Sequence, residues 1–261
     1  MSGIDGGTVG LHVEQHTGGS VATVTIDRPG KANALNSALM TELAAVLAEL
    51  GRADDLRVVV LTGAGGRSFI AGADVGEMAG LDPHTARAFI GRVHACCHAI
   101  RDLPVPVIAR IGGATFGAGL EIAASCDLRI AVDTAVFGMP EVRLGIPSVV
   151  EAALLPMLVG WGRARQILLL GDTFGAADAA AWGLVERIVA PDKLDAAVAE
   201  WVASLLACQP GAVRVQKRLM RQWEDLPLRA AVQAGVDAFA GVWGTGEPEA
   251  AMRAFGAAKR T

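Results

Sequence analysis

The chain has 261 residues, of which 52% are hydrophobic and only 19% are charged, and its mean hydropathy is +0.41. The net charge of -4 excludes the basic character that nucleic-acid binding needs, and no apolar run reaches the ~18 residues that span a membrane. The excess apolar surface predicts a large core and an interface between subunits. The first seven residues show no secretory signal and the four cysteines have no metal spacing, so we expect a cytoplasmic protein whose thiols are reduced and packed in the core.

Strands and helices alternate in the first half of the predicted secondary structure. Asn36 and Asp82 are typical N-caps, and each begins a long helix. Continuous apolar runs such as residues 57–62 are typical of parallel strands that are covered on both faces. Strands are predicted at residues 10–16, 21–26, 57–62, 105–111 and 128–131, and helices at residues 37–50 and 83–101. This alternation indicates layers of the α/β class.

Helical patterns predominate after Val149. Helices are predicted at residues 149–158, 161–170, 175–182, 193–207, 210–223, 227–242 and 248–256, with one strand at residues 184–189. The sequence after about Asp192 contains little that favours a sheet. We therefore predict a layered core over residues 1–192 and a helical appendage over residues 193–261.

The stretch from Gly112 to Glu121 joins a glycine-rich turn to an apolar helix that begins near Ala118. The first N–H groups of a helix have no intrahelical partner, so they can bind an oxygen that gains negative charge. Glu121 lies about one turn further along the same face, where a carboxylate can move a proton. The default position for a glutamate is the surface, but a carboxylate in so apolar a helix needs a reason. The stretch predicts chemistry on a carbonyl compound.

Several other polar residues have competing interpretations. Glu141 follows a predicted turn and could supply a second carboxylate, although a Pro-Glu pair also begins many ordinary helices. His94 and His98 lie one turn apart on a helix, but no acidic third ligand is evident, so core or surface roles are favoured over metal binding. Asp74 and Asp127 are expected to bond backbone groups at a turn and at a strand end.

Short motifs follow one another along most of the chain. They read Arg28-Pro-Gly-Lys-Ala-Asn-Ala-Leu35, Val60-Leu-Thr-Gly63, Phe69-Ile-Ala-Gly-Ala-Asp-Val-Gly-Glu-Met78, Phe116-Gly-Ala-Gly-Leu-Glu-Ile-Ala123, Cys126-Asp127 and Phe137-Gly-Met-Pro-Glu-Val-Arg-Leu-Gly-Ile-Pro147. In order and spacing they resemble the crotonase superfamily, whose type member is enoyl-CoA hydratase. The resemblance implies a ββα spiral core that binds acyl-CoA and catalyses a reaction, over residues 1–192, and a helical trimerisation segment over residues 193–261.

The resemblance also implies roles for individual residues. The thioester carbonyl of an acyl-CoA would lie between the backbone N–H groups of Ala73 and Ala118, and Glu121 and Glu141 would be the two hydratase glutamates. The contacts with coenzyme A would come from Lys31, Ala32, Ala34, Ala71, Asp74, Val75, Gly76 and Gly117. No metal or redox cofactor is implied, because coenzyme A is part of the substrate. The implied assembly is a homotrimer or a dimer of trimers.

One motif departs from the family pattern. Hydratases usually follow Ile-Pro with a glycine-rich turn, whereas here Ile146-Pro147 is followed by Ser148-Val-Val-Glu151-Ala152. The change alters the wall where water should bind and adds Glu151, for which we favour the role of a first-turn acid stabilised by the helix dipole over that of a third active carboxylate.

Several functions remain in competition. The presence of both Glu121 and Glu141 favours hydration of a 2-enoyl-CoA. The nearest alternatives are a Δ3–Δ2 enoyl-CoA isomerase and another crotonase-type lyase or hydrolase, which share the two backbone donors and differ in their acid and base groups. An alternative of another class is a catalytically silent trimer that binds acyl-CoA.

Overall fold

The computed structural model describes residues 6–258. Most of the seven residues on which the expectation about a secretory signal rests therefore lie outside the described residues. Its strands are β1 (Thr8–His16), β2 (Gly19–Asp27), β3 (Leu56–Gly63), β4 (Ser68–Ile70), β5 (Val107–Ile111), β6 (Ala114–Phe116), β7 (Leu128–Val132), β8 (Val136–Gly138), β9 (Thr173–Gly175) and β10 (Arg187–Val189). Its α-helices are α1 (Ser37–Leu50), α2 (Val75–Met78), α3 (Pro83–Asp102), α4 (Ala118–Ser125), α5 (Leu155–Leu170), α6 (Ala176–Ala181), α7 (Leu194–Ala207), α8 (Pro210–Trp223), α9 (Leu228–Val242) and α10 (Glu247–Ala258). Short 3-10 helices lie at Pro29–Lys31, Pro140–Leu144, Val150–Leu154, Pro191–Lys193 and Trp243–Thr245.

The larger sheet has six strands in the order β1-β2-β3-β5-β7-β10. The first pair is antiparallel, and the other pairs are parallel. Every residue of β3 is buried, which explains why its sequence is continuously apolar rather than alternating. The Asn36 side chain caps α1 and the Asp82 side chain caps α3, so the two predicted N-caps are confirmed.

The smaller sheet has four strands in the order β4-β6-β8-β9, and each strand has three residues. β4, β6 and β8 run parallel, while β9 pairs with β8 in the antiparallel sense. β6 leads directly into α4, and β8 leads into the 3-10 helix Pro140–Leu144. Because the carboxyl ends of neighbouring parallel strands meet at one edge, this sheet brings Glu121 and Glu141 together.

Two details of the C-terminal half differ from the predictions. The predicted helix at residues 149–158 is a 3-10 helix at Val150–Leu154 that passes into α5, and α5 continues through residue 170 with a non-helical residue at Gly160 (φ 74°). The strand predicted at residues 184–189 is shorter in the structure, where only Arg187–Val189 pair with β7. Leu184 and Val185 before it are buried in the core.

Two further findings concern the burial of the cysteines and the packing of α7. Three cysteines are buried, but Cys208 is exposed beyond the end of α7, so the expectation that it packs in the core is wrong. α7 packs against β3, β5 and β7, and its buried side chains belong to the same core as the strands. The residues of this helix in that core are Leu194, Ala197, Val198 and Val202.

The described residues 6–258 include no single helix that is long and apolar enough to cross a membrane. The segments Pro191–Ala207 and Pro210–Trp223 together have the length and composition of a membrane span. However, the chain bends by 107° between them, and α7 lies against the sheet. The cytoplasmic location stays a prediction from the sequence.

Candidate active site

The first turn of α4 starts from a glycine that no other residue replaces easily. Gly117 has φ 50° and ψ -122°, a conformation that side chains with a Cβ rarely adopt. Its carbonyl accepts the N–H groups of Leu120 and Glu121 at 2.8 and 3.0 Å. Ala118 is therefore the first residue of the helix, as predicted, and its own N–H has no intrahelical acceptor.

Glu141 reaches the same place from the neighbouring strand. The N–H of Gly117 donates to the carbonyl of Gly138 at 3.0 Å, which ties the start of α4 to the end of β8. A Cβ added to Gly117 would collide with Oε1 of Glu141, so the Glu141 carboxylate lies directly over this glycine. Oε2 of Glu141 accepts a hydrogen bond from the Ser148 hydroxyl at 2.8 Å.

Glu121 is far more buried than its neighbour. It is 4% exposed, and its Oε1 accepts the N–H of Ala152 at 3.3 Å. Burial, followed by the negative charge of Glu141, raises the pKa of Glu121 to about 8, and the Ala152 N–H opposes this shift only in part. This shift favours the neutral acid form of Glu121 near pH 7.

The pKa of Glu121 predicts an unusual dependence of stability on pH. The unfolded chain loses this proton near the ordinary value of 4.5, whereas the folded chain keeps it until about pH 8. Folding stability is therefore lost as pH rises between these values, and above them the loss is complete. Glu121→Gln should remove the loss, so its stability relative to the unmodified protein should grow from about pH 5 to about pH 8, by an amount on the order of a few kcal/mol.

Urea denaturation of both proteins at pH 5 and at pH 8 measures this gain in the free energy of unfolding. Glu42→Gln, on the exposed side of α1, is the control that should show no such trend. A difference in stability between Glu121→Gln and the unmodified protein that is the same at pH 5 and at pH 8 would contradict the raised pKa of Glu121.

A cavity of about 180 Å³ joins the predicted groups. Glu121, Glu141, Ala73 and Ala118 all line it, so the structure brings together the four residues predicted for acid–base chemistry and oxygen binding. Its apolar walls include Val75, Phe89, Val93, Phe116, Leu144 and Ile146. Such a lining suits an apolar group held next to the two carboxyl groups.

Ala73, the second predicted backbone donor, lies in a short bridge. Ala73 and Leu35 form an isolated parallel bridge, in which Leu35 donates to Gly72 at 2.9 Å and Asp74 donates to Leu35 at 2.8 Å. These bonds use the N–H groups of Leu35 and Asp74 and leave that of Ala73 outside the bridge. Gly72 before it has φ 99°, which turns the chain toward the cavity.

The residues predicted to contact coenzyme A fall into two groups. Ala71, Val75 and Gly117 line the cavity, whereas the other five lie outside its lining: Lys31, Ala32, Ala34, Asp74 and Gly76. The loop at residues 31–34 and the loop at residues 71–76 nevertheless lie side by side, because the N–H of Ala71 donates to the carbonyl of Ala32 at 3.1 Å. The loops therefore form one continuous surface beside the cavity.

Arg28 holds these two loops together, a role that no sequence motif indicates. Its guanidinium donates to the Ala34 carbonyl at 3.0 Å and to Asp74 at 2.6 Å. This hydrogen bond, with burial acting against it, lowers the pKa of Asp74. Asp74 also accepts the N–H of Glu77 at 3.1 Å, so the expected bond to a backbone group is confirmed. A buried ion pair between residues so distant in sequence leaves no local pattern.

A second cavity, of about 230 Å³, lies between α5 and α8, and its buried charges serve the fold. Lys217 donates to the carbonyls of Ile100 and Val105 and to Asp127. Asp127 in turn accepts the N–H of Val107 at 2.7 Å, as expected for a residue next to a strand end. These charges bond groups of the protein itself, so we place no chemistry here.

Glu151 is a first-turn acid, as favoured above, but it is also buried. Although it lies in the first turn of the 3-10 helix Val150–Leu154, it is 4% exposed. Its Oε1 lies 2.8 Å from Nδ1 of His94 on α3, so the helix dipole alone does not account for it. Among residues 6–258, no group of three or more His, Cys, Asp and Glu side chains could hold a metal ion.

Known proteins with similar sequences and folds define the family. The family described as enoyl-CoA hydratase/isomerase matches residues 16–259. A short-chain-enoyl-CoA hydratase of Clostridium acetobutylicum is 37% identical over 238 residues, which cover 91% of each chain. A crotonyl-CoA hydratase of Syntrophomonas wolfei is 34% identical over 236 residues, 90% of this chain and 91% of that protein. The crystal structure of an enoyl-CoA hydratase from Bacillus anthracis has a TM-score of 0.89 at 32% identity and covers 94% of this chain and 95% of that chain.

The two mixed sheets and the C-terminal helices are those of the α/β crotonase fold. The chain belongs to the enoyl-CoA hydratase/isomerase family, the crotonase family of enzymes that bind acyl-CoA. The resemblance that the motifs carry is thereby confirmed, together with the fold class. The roles assigned to individual residues stay predictions.

Proposed function

We propose that this protein is an enoyl-CoA hydratase, which adds water across the 2,3-double bond of a 2-enoyl-CoA thioester. The observation that carries the proposal is the pair of carboxyl groups in one cavity, in which Glu121 is buried and has a raised pKa while Glu141 is half-buried. Two carboxyl groups in unequal surroundings can act as an acid and a base in one reaction. The hydratases among the similar proteins support the same reaction.

The proposed mechanism uses backbone and side-chain groups in sequence. The N–H groups of Ala73 and Ala118 bind the thioester oxygen and stabilise the enolate, which is too basic to form unaided at neutral pH. Glu141, as a carboxylate, takes a proton from water while the water oxygen bonds to the β-carbon and the double-bond electrons move toward the thioester oxygen. Neutral Glu121 then gives its proton to the α-carbon. No metal or redox cofactor is required by these steps.

Coenzyme A would lie along the surface that the two bridged loops form. In this proposal it contacts Lys31, Ala32, Ala34, Ala71, Asp74, Val75, Gly76 and Gly117. The Asp74 carboxylate is already engaged with Arg28 and with the start of α2, so its backbone rather than its side chain would meet the ligand. Lys31 is exposed, and its ammonium suits a phosphate.

Two other functions remain as alternatives. A Δ3–Δ2 enoyl-CoA isomerase needs only one carboxylate to move a proton between carbons, so the bond from Ser148 to a second carboxylate favours the hydratase. A catalytically silent binder would have no use for a carboxyl group that is buried at a free-energy cost beside the cavity.

A panel of thioesters tests the reaction directly. The protein is incubated with 2-enoyl-CoA esters of increasing chain length, and the loss of the conjugated thioester absorbance is followed. Hydration of at least one ester supports the proposal. Conversion of 3-enoyl-CoA esters without hydration would support the isomerase, and binding without any turnover would support the silent binder.

We also propose a closed oligomer, either a homotrimer or a dimer of trimers. One face of α9 is apolar and exposed, and Leu228 and Phe239 on it are 80% and 67% exposed. The other members of this α9 face are Val232 and Val236. An apolar face of this kind is expected to be covered by another subunit.

Light scattering at micromolar concentration should therefore give the mass of three or six chains. Phe239→Ser with Val236→Ser should lower that mass or cause aggregation, because the variant interface loses apolar contact. Leu11→Ser, which changes an exposed leucine on β1, is the control. A monomeric unmodified protein would contradict the proposal.

A further inference from the structure

The hydroxyl group of Ser148 holds the carboxylate of Glu141. Its oxygen lies 2.8 Å from Oε2 of Glu141, and both side chains are half-buried and line the cavity. An ionised carboxylate can only accept hydrogen bonds, so the hydroxyl is the donor. A hydrogen bond to a charged acceptor is stronger than one between neutral groups. Among residues 6–258, no other group donates to this carboxylate.

The backbone between the two residues brings Ser148 back to Glu141. Glu141 lies in the 3-10 helix Pro140–Leu144, and Gly145 ends this helix in the left-handed conformation (φ 79°). The N–H of Ile146 then donates to the carbonyl of Glu141 at 3.2 Å. This bond closes a turn, and Ser148 follows two residues later within reach of the carboxylate. The position of the hydroxyl is therefore set by the turn.

Packing alone does not fix the side chain of Glu141. Residues 142–147 are all exposed, and Glu141 itself is half-buried. The last torsion angle of a glutamate side chain is broad and roughly two-fold, so a carboxylate without a hydrogen bond rotates readily. Glu121 differs, because it is 4% exposed and every residue of α4 around it is buried. Glu141 therefore depends on a hydrogen bond for the orientation that burial gives to Glu121.

The bond to Ser148 separates the two carboxylate oxygens of Glu141. Oε2 accepts the hydroxyl, whereas Oε1 lies over Gly117, the residue directly before the start of α4. Oε1 has no hydrogen-bond partner in the part of the chain that the structure describes. Oε1 is therefore the oxygen that can take a proton from water, beside the residue that precedes the predicted donor Ala118.

We propose that Ser148 is a positioning residue for Glu141, whose hydroxyl holds Oε2 and so directs Oε1 at the water that adds to the β-carbon. Ser148 itself exchanges no proton with the substrate. Hydratases usually have a glycine-rich turn after Ile-Pro, and glycine has no hydroxyl, so this orienting bond comes from the departure of this chain from the family pattern. The positioning role rests on the proposed hydratase function.

A matched control is available on α7. The hydroxyl of Ser204 is exposed and donates to the backbone carbonyl of Glu200 at 3.0 Å, within its own helix. Ser204 does not line the cavity. Ser204→Ala therefore removes a serine hydroxyl and one hydrogen bond without touching Glu141.

Steady-state hydration of a 2-enoyl-CoA that the unmodified protein accepts is measured for Ser148→Ala, Ser148→Thr and Ser204→Ala. Ser148→Ala should lower kcat on the order of 10-fold, because the base is less often oriented toward water, and should leave KM within about two-fold. Ser148→Thr keeps the hydroxyl and should keep most of kcat, and Ser204→Ala should match the unmodified protein. A change that merely loosened the cavity would raise KM as well.

A double variant shows whether Ser148 acts through Glu141. In Glu141→Gln the oriented base is gone, so adding Ser148→Ala should lower the residual kcat by less than about two-fold. Residues that act as a unit give such non-additive losses. The double variant also decides the test where the additional methyl group of Ser148→Thr disturbs the cavity.

Three results would overturn the positioning role while the hydratase function stands. They are normal kcat in Ser148→Ala, a loss confined to KM, and a loss of the same size in the Glu141→Gln background. Absence of hydration by the unmodified protein would reject the function and the positioning role with it. Ser148 is half-buried in a mostly exposed loop, so Ser148→Ala is expected to fold, and thermal unfolding checks this.

Discussion

Glu121→Gln and Glu141→Gln should each lower kcat of hydration by ~10²–10⁴ while acyl-CoA binding stays nearly unchanged. Glutamine keeps the shape of the side chain and its oxygen, so the bonds from Ala152 and Ser148 can still form. It removes the ability to give or take a proton, which is the property that the mechanism requires. Steady-state kinetics gives kcat, and calorimetric titration with a saturated acyl-CoA gives binding.

Glu42→Gln, on the exposed side of α1, is the control for replacing a glutamate and should turn over normally. Full hydration activity in Glu141→Gln would mean that Glu141 is not a catalyst. The isomerase with a single carboxylate would then become the better proposal.

Ala118→Pro should lower kcat by roughly 10²–10³ in a protein that still folds, because it removes one oxyanion donor and little else. Proline fits the first position of a helix, where the N–H has no intrahelical acceptor. Ala118 occupies that position in α4, and Gly117 before it tolerates the restriction that proline imposes on its predecessor. Loss of stability should therefore be modest.

Ala118→Gly keeps the N–H and should retain most of the activity. Thermal unfolding and light scattering establish that both variants are folded and assembled. A folded Ala118→Pro protein with normal turnover would show that this N–H does not bind the thioester oxygen, and the role of the whole stretch 112–121 would have to be reassigned.

Elements with strong local signals could be predicted from the sequence. Asn36 and Asp82 cap the two long helices, and the all-apolar β3 is a buried parallel strand. The strands β6, β8 and β9 were missed because three residues are too few to show a period of two. Their strand geometry comes from neighbours that are distant in sequence.

The residues of the candidate site likewise fall into those with a local sequence signal and those without one. Ala118 and Glu121 could be proposed from the residues themselves, because a helix start and a lone carboxylate in an apolar helix are local features. Ala73 could be proposed only from the resemblance, since its contribution is a backbone N–H in a stretch that otherwise indicates core. The pairing of His94 with Glu151 depends on the packing of α3 against a 3-10 helix, so no local pattern predicts it.

The division of the site between a buried helix and an exposed loop bears on how such a protein can evolve. Ala118 and Glu121 belong to α4, in which every residue is buried, whereas most of the loop at residues 142–149 is exposed. Insertions and substitutions in that loop disturb little of the core, so the cavity wall beside Glu141 can change while α4 stays in place. Changes confined to this loop therefore let one scaffold serve related proteins with different reactions.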